Sequence, residues 1–266
     1  MARNLHFTVG AMPVEVARRG AVQYQQNHGM SVVREPFHTV VDHAAIPQVA
    51  EAYRRMPSFD ANALPAYHAM RNEVRAQFDH MTAPRSRGGM GMTVGVTKED
   101  PYGGIGGDGV NPGGGVGIPK LFDDVQNNRH IDVLATRTTG GHPVFSDDEN
   151  DMFRAVHDVF GHAAVGRGVD MHGEEAAYRK HSAMFSPLAR GALATETRAQ
   201  NHAMLHANGE FQEQKVGIMP LQFRQFSFVD PKTTSGRAAA VREANFEQVK
   251  QGLVQTMRTR RGTATA

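Results

Sequence analysis

Two histidines five residues apart, His157 and His162, lie in the stretch Phe153-Arg-Ala-Val-His157-Asp158-Val-Phe-Gly161-His162 and are the residues best suited to chemistry. Imidazole is the commonest metal ligand and the side chain that titrates nearest neutrality. Helical zinc motifs use histidines four apart, because four residues return to nearly the same face. Five apart on a regular helix, two side chains diverge by about 140°. They can converge on one ion if an extra residue widens the helix, and such bulges concentrate at functional sites. Gly161 permits that distortion, or the close approach of another helix. The alternative is two unrelated histidines, one on a core face and one at a helix end.

Possible partners follow downstream: Glu174, Glu175, His181, Glu196, Gln200, Asn201, His202 and Glu213. Glu196 sits among small residues in Ala192-Leu-Ala-Thr-Glu196-Thr-Arg-Ala-Gln-Asn, where an acidic group is costly unless paired or metal-bound. A site of His157, His162 and Glu196 is a 2-His-1-carboxylate set, the non-haem Fe(II) pattern with three positions open for oxygen and substrate. Zinc on the same ligands with a water would instead give a hydrolase. Ligand identity alone does not separate the two.

Asp158 is expected to orient a ligand or the active-site water; in a hydrolase, Asp158 or Glu175 is the general base. Of Glu174 and Glu175, one suits a helix cap and the other a hydrogen bond to a ligating imidazole. His181, two helical turns beyond Glu174, can face the same site. Glu174, His181 and Glu196 together would suit a two-metal cluster, but the paired Glu-x-x-His repeat of such clusters is missing. Gln200 and Asn201 are either substrate or water contacts or hydrogen-bonded core polar groups. The other histidines read as surface or structural, with His142 a reserve pocket residue.

Composition narrows the remaining classes. The 266 residues contain no cysteine, which removes disulfides, thiolate metal sites and cysteine nucleophiles. No Gly-x-Ser-x-Gly marks a serine nucleophile, and no glycine run opens a helix as a phosphate loop does. Lys plus Arg number 29 and Asp plus Glu 27, so the net charge of +2 gives no argument for nonspecific nucleic-acid binding. The arginine-rich pieces are short and lack interleaved aromatics, so a nucleic-acid substrate is not favoured. No run approaches the roughly 20 apolar residues of a membrane span. The expectation is a soluble protein of the cytoplasm.

These residues need elements to hold them. Residues 1–40 read as an extension of irregular chain or short edge strands packed on a core. Ile46, Val49, Ala50 and Tyr53 recur at helical spacing from 42 to about 56. A second helix fits 64–81, with Leu64, Tyr67, Met70, Val74 and Phe78 on one face and Pro65 in its first turn. The two are expected to form an antiparallel pair. Residues 84–119 read as a glycine-rich covering loop interrupted by a strand at 92–96. A short helix at 121–128 and a strand at 130–134 follow. Ser146 caps the next helix, with Asp147, Asp148 and Glu149 in its first turn. Helices at 174–185, 187–205 and 238–257 follow, with one or two turns at 211–216 and a frayed tail at 258–266. The fold class is mainly α: one compact helical domain over 41–257, with small β elements and the glycine-rich loop.

His157-Asp158-Val-Phe-Gly161-His162 resembles the His-Glu-Leu-Leu-Gly-His segment of the aromatic amino acid hydroxylases, including the spacing of five. The resemblance implies catalytic iron on both histidines, a third ligand on a later helix matching Glu196, and a hydroxylase-like fold. It spans roughly 143–202, and only the six-residue core is specific. The family's Pro-Glu-Pro-Asp lead-in is replaced by Asp147-Asp-Glu-Asn-Asp151, and Arg137 and Arg154 are the candidates for its substrate-binding arginine. A broader stretch, about 45–220, is similar to an uncharacterised polyvalent-protein-associated domain of bacteriophage and mobile-element proteins. Asp124-Val-Gln-Asn-Asn-Arg-His130, Asn150 to His162, Gly173-Glu-Glu-Ala-Ala-Tyr178 and Glu196-Thr-Arg-Ala-Gln-Asn201 carry that likeness. It implies a viral setting, in the host cytoplasm or in the virion, and no particular chemistry.

Taken together, the expected activity is an Fe(II)-dependent hydroxylase using O2, an external reductant and a small amino acid-like molecule or nucleobase. The zinc hydrolase, and a phage structural or injected accessory protein with a structural metal, are the alternatives.

Overall fold

A computed structural model describes residues 13–32, 40–41, 44–102, 117–207, 210–225 and 228–229. The helix expected at 238–257, the tail beyond it, the first twelve residues and residues 103–116 of the glycine-rich stretch lie outside them.

Helix α3 (Leu64–Thr82) is the central element, packed against α5 (Asp147–His157) and α7 (Ala189–Ala194). Pro65 sits in its first turn, where a missing N–H leaves no orphan. Its buried residues Tyr67, Met70, Val74, Gln77 and Met81 recur every three or four positions. Gln77, a polar residue, thus occupies a core position, while Phe78 is only partly buried.

Helix α5 starts in a full capping box. Ser146 Oγ accepts from the Glu149 amide at 3.3 Å and the Ser146 amide donates to Glu149 Oε2 at 2.9 Å, as the serine and acidic first turn predict. Arg75 also reaches Glu149 and fastens α3 to α5. Two two-stranded sheets accompany the helices. β1 (Val40–Val41) pairs antiparallel with β4 (Phe228–Val229), and β2 (Thr93–Thr97) runs parallel to β3 (His130–Leu134) with Thr93 opposite His130.

Several expectations are corrected. Part of the N-terminal extension is a helix, α1 (Glu15–Asn27), whose small residues Ala17, Gly20 and Ala21 are buried beside Val16 and Tyr24. Their small size weakened the apolar stripe and hid it. Helix α2 (Ile46–Arg55) packs chiefly on α8 (Gln200–His206) rather than pairing with α3. Residues 211–215 form no helical turn, and Val216 bridges Phe59. Lys215 Nζ there donates to the Met56 carbonyl at 2.6 Å, capping the C-terminus of α2. The strand expected at 92–96 is present as β2, while the stretch before it adds a short 3-10 turn at Arg85–Arg87 that was not expected. The fold is thus mainly α-helical with small strands, and among the described residues no helix is long and apolar enough to cross a membrane.

Candidate metal centre

Helix α5 does not stop at His157. It continues as a π-helical turn over Asp158–Ala163, so both histidines ride on a widened helix. A π turn closes i to i+5, which brings residues five apart to one side. The imidazoles meet edge to face with ring centroids 5.1 Å apart. The extra residue admitted by the sequence reading is therefore present. At Gly161 a Cβ would lie 3.1 Å from Ala177 Cβ of α6 (Met171–Ser182), so glycine lets α6 approach the turn closely.

Helix α6 follows after a tight reversal. Its N-cap Asp170 accepts from the amides of His172 and Gly173, both at 2.9 Å. At Gly173 a Cβ would sit 1.8 Å from the Gly168 carbonyl, so only glycine allows this first turn to fold back on the loop. That closeness delivers the next residue, Glu174, to the histidines. Glu174 Oε1 is 3.6 Å from His162 Nε2, and Oε2 is 4.0 Å from His157 Nε2. One donor atom from each of the three lies within 4.8 Å of the others, the one such group among the described residues.

The outer nitrogens of both rings are tied down. His162 Nδ1 donates toward the carbonyls of Gly168 and Arg167 at 3.0 and 3.2 Å, which turns Nε2 to the centre. His157 Nδ1 is 3.2 Å from His181 Nδ1. Asn201 Nδ2 donates to Glu174 Oε2 at 2.7 Å, steadying one carboxylate oxygen and leaving Oε1 towards His162. Partners of this kind orient metal ligands and sustain their basicity.

The charges reinforce one another. Burial alone would lower His162, but Glu174 overrides it and, with Asp158, pushes the imidazole up to about 9. Burial would raise Glu174, yet His162 and His157 hold it down at about 2. A cation binding at this pair would displace a proton from His162, so metal uptake is coupled to proton release. Burial, with His157 and His162 adding to it, holds His181 well below the usual imidazole range.

The expected site residues divide. His157 and His162 come together, but the carboxylate that joins them is Glu174, not Glu196. Glu196 stands on another π turn, Thr195–Ala199, in a cluster of its own. It accepts from Tyr67 Oη at 2.6 Å and Gln214 Nε2 at 2.8 Å, and His142 Nε2 lies 3.3 Å away. Those partners answer the burial cost that made it a ligand candidate. Asp158 lies beside the centre, partly buried, with no side-chain hydrogen bond to any described residue. Burial pushes its carboxyl up; Glu174 reinforces this, while His162, His157 and Arg154 oppose it.

Glu175 is held by Arg198 Nε at 3.0 Å in a buried ion pair, away from the role of general base. Gln200 hydrogen-bonds Gln214 rather than the centre, whereas Asn201 and His181 are drawn in as partners of ligands. Arg154 is occupied by the Leu134 carbonyl and Thr139, and Arg137 is exposed. Sequence reasoning missed Gln77 and gave Glu174 only an accessory part. The one available signal for Glu174 was its place just after Asp170 and Gly173, a cap and a close-approach glycine. No protein-family model, curated protein or solved structure matches the chain, so neither resemblance extends to a family assignment.

Proposed function

We propose that this protein binds one divalent metal ion through His157, His162 and Glu174 and uses it for O2-dependent hydroxylation of a small molecule. The convergence of these three donor atoms within 4.8 Å carries the reading. Two histidines and one carboxylate suit Fe(II) and leave positions for oxygen and substrate. The reaction inserts one oxygen atom into a substrate C–H bond and reduces the other to water. It therefore needs two electrons and two protons from an external reductant. The substrate class is an amino acid-like molecule or a nucleobase.

The protein's own groups have defined parts. Asn201 keeps the Glu174 carboxylate turned so that one oxygen serves the ion. The Gly168 and Arg167 carbonyls fix the His162 ring. Partial exposure of the Glu174 and His157 side chains, 21% and 12%, marks the side from which a substrate would enter.

One observation favours a second reading, a zinc hydrolase on the same three ligands. Asp158, whose carboxyl feels the charges of His162, His157 and Glu174 and which has no side-chain hydrogen bond among the described residues, is placed to serve as general base towards a bound water.

Metal analysis of protein purified anaerobically, with His157→Ala as control, tests both. About one iron per chain, absent from the control, together with reductant-dependent O2 uptake supports the hydroxylase. Stoichiometric zinc with no O2 uptake turns the reading to hydrolysis. A metal-free wild-type protein under conditions that retain loosely held iron and zinc overturns both.

A further inference from the structure

We infer that Gln77 and His181 are positioning residues, a buried relay that presets His157 in the tautomer able to bind a metal. The inference rests on the metal centre proposed above and adds two residues that touch neither the ion's position nor any substrate. Gln77 Nε2 donates to the Met184 carbonyl at 3.2 Å, and Gln77 Oε1 faces His181 Nε2 at 2.8 Å. His181 Nδ1 in turn faces His157 Nδ1 at 3.2 Å.

The direction of each bond follows from the first. A flipped Gln77 amide would set its oxygen against the Met184 carbonyl, two acceptors with no proton between them. Both side chains are fully buried, so no water can repair that contact. Gln77 therefore presents its oxygen to His181, and His181 must carry its proton on Nε2. A second proton on His181 would place a charge between the rings of Phe185 and Phe153, 4.9 and 6.5 Å away by centroid, and would set N–H against N–H at His157. His181 Nδ1 is thus a lone pair. The facing His157 Nδ1 has to donate, and the proton is thereby removed from His157 Nε2, the atom turned to Glu174. A backbone carbonyl in α6's trailing turn so decides, through two side chains, which nitrogen of His157 is free to ligate.

The geometry also explains why His181, though adjacent, is not itself a ligand. Both of its nitrogens are engaged, one by Gln77 and one by His157. The relay reaches the centre from α3, so the site's chemistry and the packing of the central helix are joined through Gln77.

Nitrogen-15 NMR of the histidine rings in metal-free, full-length protein reads the tautomers directly, and Zn(II) titration against a chelating dye reads their consequence. The expected result is His157 protonated on Nδ1 and His181 on Nε2. Gln77→Met should scramble both and weaken Zn(II) binding by about 10- to 100-fold, the usual effect of losing an outer partner. Gln77→Glu keeps the acceptor and, with its buried carboxyl protonated so that it donates to the Met184 carbonyl, should keep the tautomers and most of the affinity. A proton on His157 Nε2 in the wild type, or unchanged tautomers and affinity in Gln77→Met, overturns the inference. Reversed tautomers with tight zinc binding sink the relay alone. The expected tautomers, Gln77-dependent, in a protein that binds neither zinc nor iron sink the metal centre and leave the relay standing.

Discussion

Glu174 and Glu196 are both carboxylates drawn into the protein beside histidines and near π-helical turns, yet their neighbours bring opposite things. Around Glu196 the donors are fixed. Tyr67 supplies an O–H and Gln214 an N–H. His142 accepts the amides of Val144 and Phe145 on Nδ1, at 3.1 and 3.0 Å, so its proton sits on the Nε2 that faces Glu196. Around Glu174 Asn201 supplies one N–H, but the two imidazoles have their outer nitrogens tied away and turn Nε2 towards the carboxylate. A carboxylate already met by fixed donors has little to gain from a cation. One that faces converging imidazole nitrogens has much to gain. Both clusters join a glutamate to histidine and a side-chain amide; what separates them is the Tyr67 hydroxyl on Glu196 and the pair of converging imidazoles on Glu174.

The largest effect that could break this contrast is on metal binding. Glu174→Ala or His162→Ala should abolish stoichiometric binding of zinc or iron, whereas Glu196→Gln should leave it within a few-fold; metal content after dialysis against a weak chelator decides. Loss of metal from Glu196→Gln with retention in Glu174→Ala would reverse the assignment of the two clusters.

Next comes stability. Glu196→Ala removes the acceptor that Tyr67 Oη and Gln214 Nε2 share and opens a cavity beside them, and should destabilise by about 1–3 kcal/mol. Tyr67→Phe removes one donor and should cost about 1–3 kcal/mol. Urea denaturation measures both, and a neutral Glu196→Ala would mean that the donors find water.

A subtler expectation sharpens the Glu174 side. Asn201→Ala frees one oxygen of Glu174 and should weaken metal binding by about 10-fold, with little change in the stability of the metal-free protein. Calorimetric titration checks the affinity, and an unchanged value would show that Asn201 does not orient the carboxylate.

The smallest effect is on the pH dependence of the metal-free protein. His162 is raised when folded, so its stabilisation is complete below its unfolded value near 6.5 and is lost as pH rises through about 9. Glu174 is depressed, so its share is complete above about 4.5 and is lost as pH falls through about 2. Metal-free protein should therefore keep the full contribution of this pair between about pH 4.5 and 6.5. Denaturation at pH 6 and pH 9 should show an alkaline loss that His162→Gln lacks; an equal loss in both proteins would place its origin elsewhere.

Much of the scaffold was legible in the sequence because it rests on local rules. The Ser146 capping box, Pro65 in the first turn of α3, the strand from His130 to Leu134 and the apolar spacing of α2, α3 and α5 each depend on residues a few positions apart. The His157–His162 spacing was legible too, together with the widened turn it would require. α1 was not, because its buried face is made largely of alanine and glycine, which carry little hydrophobic signal.

By itself, then, the sequence determined that two histidines could meet and that a carboxylate was needed to complete them. Only the tertiary structure decided which carboxylate. Glu174 reaches the centre because Gly173 closes on the Gly168 carbonyl, and Glu196 is withheld in a separate cluster where Tyr67 and Gln214 donate to it and His142 lies beside it. Gln77 reaches His181 across about a hundred residues of chain in the same way. Spacing along one helix is a local matter fixed by backbone geometry. The direction of a hydrogen bond between distant segments is settled only when the core closes and water can no longer stand in for the missing partner.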